Sequence, residues 1–204
     1  TLSPLLGNVY LHYVLDRWFA EEVKPRLRGK ATLVRYADDA VFGFELQEDA
    51  ERVRTVLEQR LGRFGLKLNL DKTRLLDFRQ PRQSPGQGKG PSTFDFLGFT
   101  WYWRRTRSGR WSVACKTRSA RLSRAIQSVY DFCRGHRHEP VKTQHAALTR
   151  RVRGHFNYFA VSGNVRSLRA LAQVVHRALF KWLNRRGGKR SSTSLVPVGP
   201  AIQI

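Results

Sequence analysis

Up to Lys116 the apolar residues of this 204-residue chain alternate between helical and strand spacing; from Thr117 onward they recur at helical spacing alone. That change constrains the fold more than any other feature, because helices and strands bury their apolar faces with different periods. It predicts an α+β chain: an antiparallel sheet with packed helices over residues 1–116, then an all-α three-helix unit over 117–186. No internal repeat is visible.

In the first part, Ser3 and Pro4 read as an N-cap and first-turn pair. Leu6, Val9, Tyr10, Tyr13, Val14 and Trp18 follow at helical spacing and predict a helix to about Val23. Pro25 and Gly29 break it. Residues 31–36 and 40–44 are rich in β-formers, and the Asp38-Asp39 link between them reads as a tight hairpin turn. Val53, Val56, Leu57, Leu61 and Phe64 line one face of a second helix, with Gly65 at its C-terminal cap. Apolar stretches at 66–70 and 73–78 are split by Asp71-Lys72. Residues 80–92, rich in Gly, Pro, Gln and Ser, read as a mobile loop. Residues 94–103 and 111–116 form a second hairpin candidate around Ser108-Gly109.

In the second part, Leu122, Ile126 and Val129 mark one helix. Leu148, Val152, Phe156 and Phe159 mark the next, and Leu168, Leu171, Val175, Leu179 and Trp182 the third. Residues 135–140 and 161–164 separate them. The basic tail, 187–204, is expected to be flexible.

Charge divides the chain as sharply as periodicity does. Residues 1–103 carry 16 Lys and Arg against 13 Asp and Glu, whereas residues 104–204 carry 22 against 2. Such an imbalance asks for a polyanionic partner, nucleic acid first and an anionic membrane surface as the rival. No apolar run approaches the roughly 20 residues that span a bilayer, and no signal pattern opens the chain. Two cysteines, Cys115 and Cys133, are too few for a disulfide framework and suit a reducing compartment. Cys133, His136 and His138 lack the second ligand pair that a structural zinc site requires. Gly86, Gly88 and Gly90 lack the flanking strand and helix of a phosphate-binding loop.

Two adjacent carboxylates at a hairpin tip repel each other, and a divalent cation resolves the conflict. Mg²⁺ takes carboxylate oxygens in an octahedral shell and keeps waters for substrate phosphates. Paired ions can activate an attacking hydroxyl and stabilise a leaving pyrophosphate. An ordinary solvated Asp-Asp turn is the plain alternative.

Tyr36-Ala37-Asp38-Asp39, between Leu33-Val34-Arg35 and Ala40-Val41-Phe42, resembles the palm motif of reverse transcriptases, most closely the group II intron-encoded enzymes. Ser3-Pro4-Leu5-Leu6-Gly7-Asn8-Val9-Tyr10-Leu11 resembles the helix after that family's Pro-Gln-Gly segment. Phe64-Gly65-Leu66-Lys67-Leu68-Asn69-Leu70-Asp71-Lys72-Thr73 is similar to the next palm motif, and Phe94-Asp95-Phe96-Leu97-Gly98-Phe99 to the primer-grip hairpin. Gly154-His155-Phe156-Asn157-Tyr158-Phe159, on to Gly163-Asn164, looks like the thumb, or maturase X domain. The resemblance covers almost the whole chain.

The resemblance implies a partial palm over 1–116, a helical thumb over 117–186 and RNA-directed DNA polymerase activity in the parent protein. Asp38 would be the direct metal ligand and Asp39 the less direct one, with Mg²⁺ as cofactor and Mn²⁺ as a substitute. Tyr36 would pack under the primer terminus, and Phe96, Leu97 and Gly98 would brace the primer strand. Lys72 is a candidate for neutralising the leaving pyrophosphate; its alternative is a surface lysine in a turn after Asn69. Three basic stripes accompany the apolar ones: Arg118, Arg121 and Arg124; Arg150, Arg151 and Arg153; Arg177, Lys181 and Arg185. They would track the phosphates of a near-A-form RNA–DNA hybrid. Implied partners are RNA template, hybrid, intron RNA and deoxynucleoside triphosphates, with no membrane. The implied location is cytoplasmic, nucleoid- or ribonucleoprotein-associated.

The family places another catalytic Asp on an earlier palm strand, and this chain shows neither that residue nor the fingers and Pro-Gln-Gly segment. Asp16 lies inside the helix pattern. The chain opens without Met, so it is expected to be a fragment that does not polymerise alone. No endonuclease-type Cys/His pairs follow the thumb. A maturase module holding intron RNA without catalysis is the competing reading, and a structural ribonucleoprotein component the third.

Overall fold

The computed structural model describes residues 3–81 and 92–186. Residues 82–91 of the expected loop, with its three glycines, and the tail 187–204 lie outside the described residues. Among the described residues are five α-helices and two small antiparallel sheets, one of two strands and one of three. Contacts divide the chain into two compact units, Thr1–Leu97 and Gly98–Ile204. Among the described residues no helix is long and apolar enough to cross a membrane.

The first unit opens on α1, Ser3–Leu11, which widens into π-helical turns at His12–Arg17 and Phe19–Val23 and tightens to a 3₁₀ turn at Lys24–Arg26. The helix thus reaches Val23 as the apolar spacing predicts, but not with a single inner face. An α-helix turns the chain by a constant angle, and wider turns change which residues share a side. Val14, Leu15, Trp18 and Phe19 enter the core, while α1 buries none of its residues and Leu6, Val9, Tyr10 and Tyr13 stay exposed. The expected stripe is corrected accordingly.

Strands β1, Ala31–Tyr36, and β2, Asp39–Phe44, pair antiparallel from Ala31↔Phe44 to Tyr36↔Asp39. Helix α2, Gln47–Arg63, carries Glu48 and Asp49 in its first turn and Arg60 and Arg63 in its last, complementing the helix dipole at both ends. Val53, Leu57 and Leu61 join the π-helical residues in one core, flanked by Leu33, Phe42 and Phe44; Val56 and Phe64 remain exposed. Gly65, at φ 69°, ends the helix in a Schellman motif: Leu66 N–H bonds to the Leu61 carbonyl and Gly65 N–H to that of Gly62. Buried Asp49 accepts the amides of Arg28 and Gly29 at 3.1 and 2.9 Å, which ties the loop before β1 to α2. Residues 66–69 and 73–78 take no regular secondary structure.

The strand expected over 94–103 is two strands. β3, Phe94–Phe96, and β4, Phe99–Arg105, are separated by a tight turn at Leu97-Gly98, both with positive φ (53° and 78°). β4 pairs with β5, Trp111–Thr117, in register Phe99↔Thr117 to Arg105↔Trp111. Three helices follow: α3, Ser119–Gly135; α4, Val141–Phe159; and α5, Val165–Leu183. Their core holds Val129, Phe132, Cys133, Leu148 and Ala178. The β4–β5 hairpin therefore belongs by contact to the same unit as the helices, whereas the division drawn from sequence lay at 116.

Asn164, 1% exposed, joins hairpin to helices. Its Oδ1 accepts the Thr117 amide at 2.7 Å, and its Nδ2 donates to Thr117 Oγ1 at 2.7 Å and the Phe159 carbonyl at 2.9 Å.

Candidate active site and nucleic-acid interface

Two strands joined in the Tyr36↔Asp39 register leave Ala37 and Asp38 as a two-residue loop. Such loops need positive φ at a central position, and Ala37 supplies it at φ 51°. Alanine in that region is strained, and strained backbone persists where surrounding structure over-determines it. The described non-glycine residues with positive φ are Ala37 and Leu97. They sit in the two hairpin turns that the sequence motifs single out. Asp38 is the second loop residue and Asp39 the first of β2; both are exposed.

Tyr36 is 67% exposed, so within its unit it is no core aromatic. Burial alternates along β1, with Ala31, Leu33 and Arg35 inward and Thr32, Val34 and Tyr36 outward. Arg35 thus occupies an inward position, its side chain only 12% exposed. Its guanidinium grips Asp16 with Nε–Oδ1 and Nη2–Oδ2 contacts of 2.7 Å each. Its Nη1 donates to Asn8 Oδ1 at 3.0 Å and to the Ala37 carbonyl at 2.9 Å. The Arg35 guanidinium beside it holds the Asp16 carboxyl below the usual aspartate range. Asp16, and to a smaller degree the Asp38 charge, raise the Arg35 value in turn. Neither Asn8 nor Arg35 was a sequence candidate for the site. The readable signal was an arginine on the inward face of a strand, which demands a partner.

Lys72 lies in the turn after Asn69, where Lys72 N–H bonds to the Asn69 carbonyl and Oδ1, both at 3.2 Å, and Thr73 Oγ1 caps the same carbonyl at 2.7 Å. Its exposed side chain forms no hydrogen bond or ion pair with the acidic turn among the described residues. Phe96 ends β3, and Leu97 and Gly98 form the turn. A Cβ on Gly98 would stand in ordinary van der Waals contact with the Phe159 ring at 3.4 Å and Arg121 Nε at 4.0 Å, so it is the positive φ of 78°, not lack of room, that favours glycine here.

The nine basic residues of the three stripes are all exposed. Arg118 precedes α3, and Arg121 and Arg124 lie on it; Arg124 and Arg151 of α4 line one groove of about 550 Å³ with Asp131, Phe132 and His136. Arg151 stands over the Phe132 ring at 4.8 Å. Lys181 of α5 is 5.7 Å from the Trp182 ring and Arg185 5.4 Å. Arg185 lies beyond α5, which ends at Leu183, so the third stripe is helical only to Lys181. Cys133 is in the core, where burial pushes its thiol up, and His136 stacks on Phe132 at 4.2 Å.

Residues 1–101, just under half of the chain, match the family model described as reverse transcriptase (RNA-dependent DNA polymerase). No curated protein matches the chain.

Proposed function

We propose, with a reverse transcriptase-type domain in residues 1–101 as the premise, that the protein carrying this chain is an RNA-directed DNA polymerase whose chemistry centres on Asp38. The observation that carries the proposal is the two-residue hairpin that offers Asp38 and Asp39 together and exposed at one tip. Two carboxylates are hard oxygen donors of the kind Mg²⁺ takes, and Mn²⁺ accepts the same set. Among the described residues no group of three or more His, Cys, Asp or Glu could hold a metal ion. The donors therefore fit the cation in kind and are incomplete in number. Asp38 would hold it, with Asp39 beside it; a bound cation would supply charge neutralisation at the reacting phosphate and primer hydroxyl.

The remaining roles fall to side chains of this chain. Tyr36 offers its exposed ring to the primer terminus, with the Phe96-Leu97-Gly98 turn as primer brace. Lys72 offers a cation to the leaving pyrophosphate of a deoxynucleoside triphosphate. The three basic stripes hold an RNA–DNA hybrid by its backbone. In this reading residues 1–116 are a partial palm and 117–186 a thumb. The chain by itself binds nucleic acid and does not polymerise. The parent is of group II intron type, mobile with its intron, in the cytoplasm at the nucleoid or a ribonucleoprotein.

The excess of 22 basic over 2 acidic residues in 104–204 favours a second reading, a maturase module that holds intron RNA for splicing. Asp38→Asn in the protein that carries this chain separates the two. Primer extension on an RNA template should fall by about 10³-fold, the several kcal/mol that a lost metal ligand costs. Unchanged extension ends the catalytic reading.

A further inference from the structure

Arg35 ties the acidic turn to the helix behind it through a single guanidinium. Four of its hydrogen bonds are committed: two to Asp16, one to Asn8 and one to the Ala37 carbonyl. Ala37 holds φ 51°, a conformation that L-residues with a Cβ rarely keep without outside support. From this geometry we propose that Arg35 is a positioning residue: it holds Ala37 in that conformation and so fixes the direction in which Asp38 is presented. The structural part stands on the contacts; its consequence for catalysis rests on the proposed role of Asp38.

The helix supplies the other half of the device. Eight residues of regular α-helix would set Asn8 and Asp16 about 80° apart around the axis. The π-helical turn at His12–Arg17 rotates the chain less per residue, and both side chains reach one guanidinium. Lysine cannot replace this arrangement. Its single ammonium can pair with Asp16 but lacks the planar fork that spans three acceptors in fixed directions. Glycine at position 37, by contrast, adopts positive φ without strain and has less need of a brace.

Amide hydrogen exchange on the 204-residue chain tests this without metal or substrate. Arg35→Lys should speed exchange of the hairpin-tip amides, residues 36–39, by about tenfold while α2 stays protected, because only a local opening is made easier. Asn8→Ala, which removes one arm and leaves the Asp16 pair, should give a smaller increase at the same amides. Adding Ala37→Gly to Arg35→Lys should restore most of the protection. An unchanged tip in Arg35→Lys, loss of protection spread evenly over the first unit, or no recovery with glycine overturns the proposal. A loosened and glycine-rescued tip together with full primer extension by Asp38→Asn leaves Arg35 as the brace and removes the catalytic reading. An inactive Asp38→Asn with a tip unmoved by Arg35→Lys does the reverse.

Discussion

The two units each anchor a backbone turn with a polar side chain, and they use opposite chemistry to do it. In the first, a charged fork on Asp16, Asn8 and the Ala37 carbonyl braces a solvent-facing turn. In the second, neutral Asn164 is wholly buried and joins the end of β5 to the α4–α5 connection. A neutral amide with satisfied donors and acceptor can be buried at little cost, whereas a charge needs both a counter-charge and some access to water. The contrast teaches that Asn164 ties secondary-structure elements together, while the Arg35 network contacts a small, exposed turn. Charge distribution follows the same line: the acidic pair sits in the nearly balanced unit, and the basic stripes in the other.

Asn164→Ala should break this comparison most strongly. It leaves the buried Thr117 amide and the Phe159 carbonyl without their side-chain partner, a loss of about 3 kcal/mol. Urea unfolding followed by tryptophan fluorescence of the second unit measures it; a loss within about 0.5 kcal/mol would mean the junction is held by apolar packing alone. A smaller effect is expected from charge reversal at Arg177 and Lys181. RNA–DNA hybrid binding should weaken by about tenfold at 0.1 M salt, and the slope of log affinity against log salt should flatten by about two. An unchanged slope removes α5 from the interface.

The smallest effect is in pH dependence, and the units should differ in it. Burial pushes the folded His155 imidazole below its ordinary value of 6.5, so the unfolded chain binds that proton first. The second unit therefore loses stability as pH falls from 8 through 6.5, until the folded imidazole is protonated as well. Asp16 is depressed by Arg35, so its contribution is fully present above the ordinary aspartate value of 3.8 and is lost only as pH falls below that, through the folded value. Thermal unfolding of the second unit at pH 8 and 5.5 should show a drop that His155→Phe flattens. The first unit should hold over that interval and weaken near pH 3. A first unit that weakens between pH 8 and 5.5 would show that Asp16 is not its pH-sensitive link.

Much of this molecule could be read from its residues. The three helices of the second unit fall where Leu148, Leu171 and their neighbours place them, because a long 3.6-residue period is a strong signal. The first hairpin was legible too, because β-formers flank a polar pair, but its loop is Ala37-Asp38, one residue earlier than the expected Asp38-Asp39 turn, and Asp39 already belongs to β2. What escaped depended on local geometry that composition does not encode. Leu97 at positive φ conceals a turn inside an apparently continuous strand of aromatics. The widening after Leu11 moves the buried face from Leu6 and Val9 to Val14, Leu15, Trp18 and Phe19. The inward position of Arg35 signals a partner but not which one, since Asn8 and Asp16 lie 27 and 19 residues away.

The proposed function assigns the chemistry to Asp38 and the hold on the hybrid backbone to the basic stripes of the second unit. Nucleotide addition and hybrid affinity measured side by side on Asp38→Asn, in the protein that carries this chain, test it most directly. Addition should fall about 10³-fold with affinity for an RNA–DNA hybrid unchanged. Loss of affinity in step with loss of addition, or addition that survives, would contradict it.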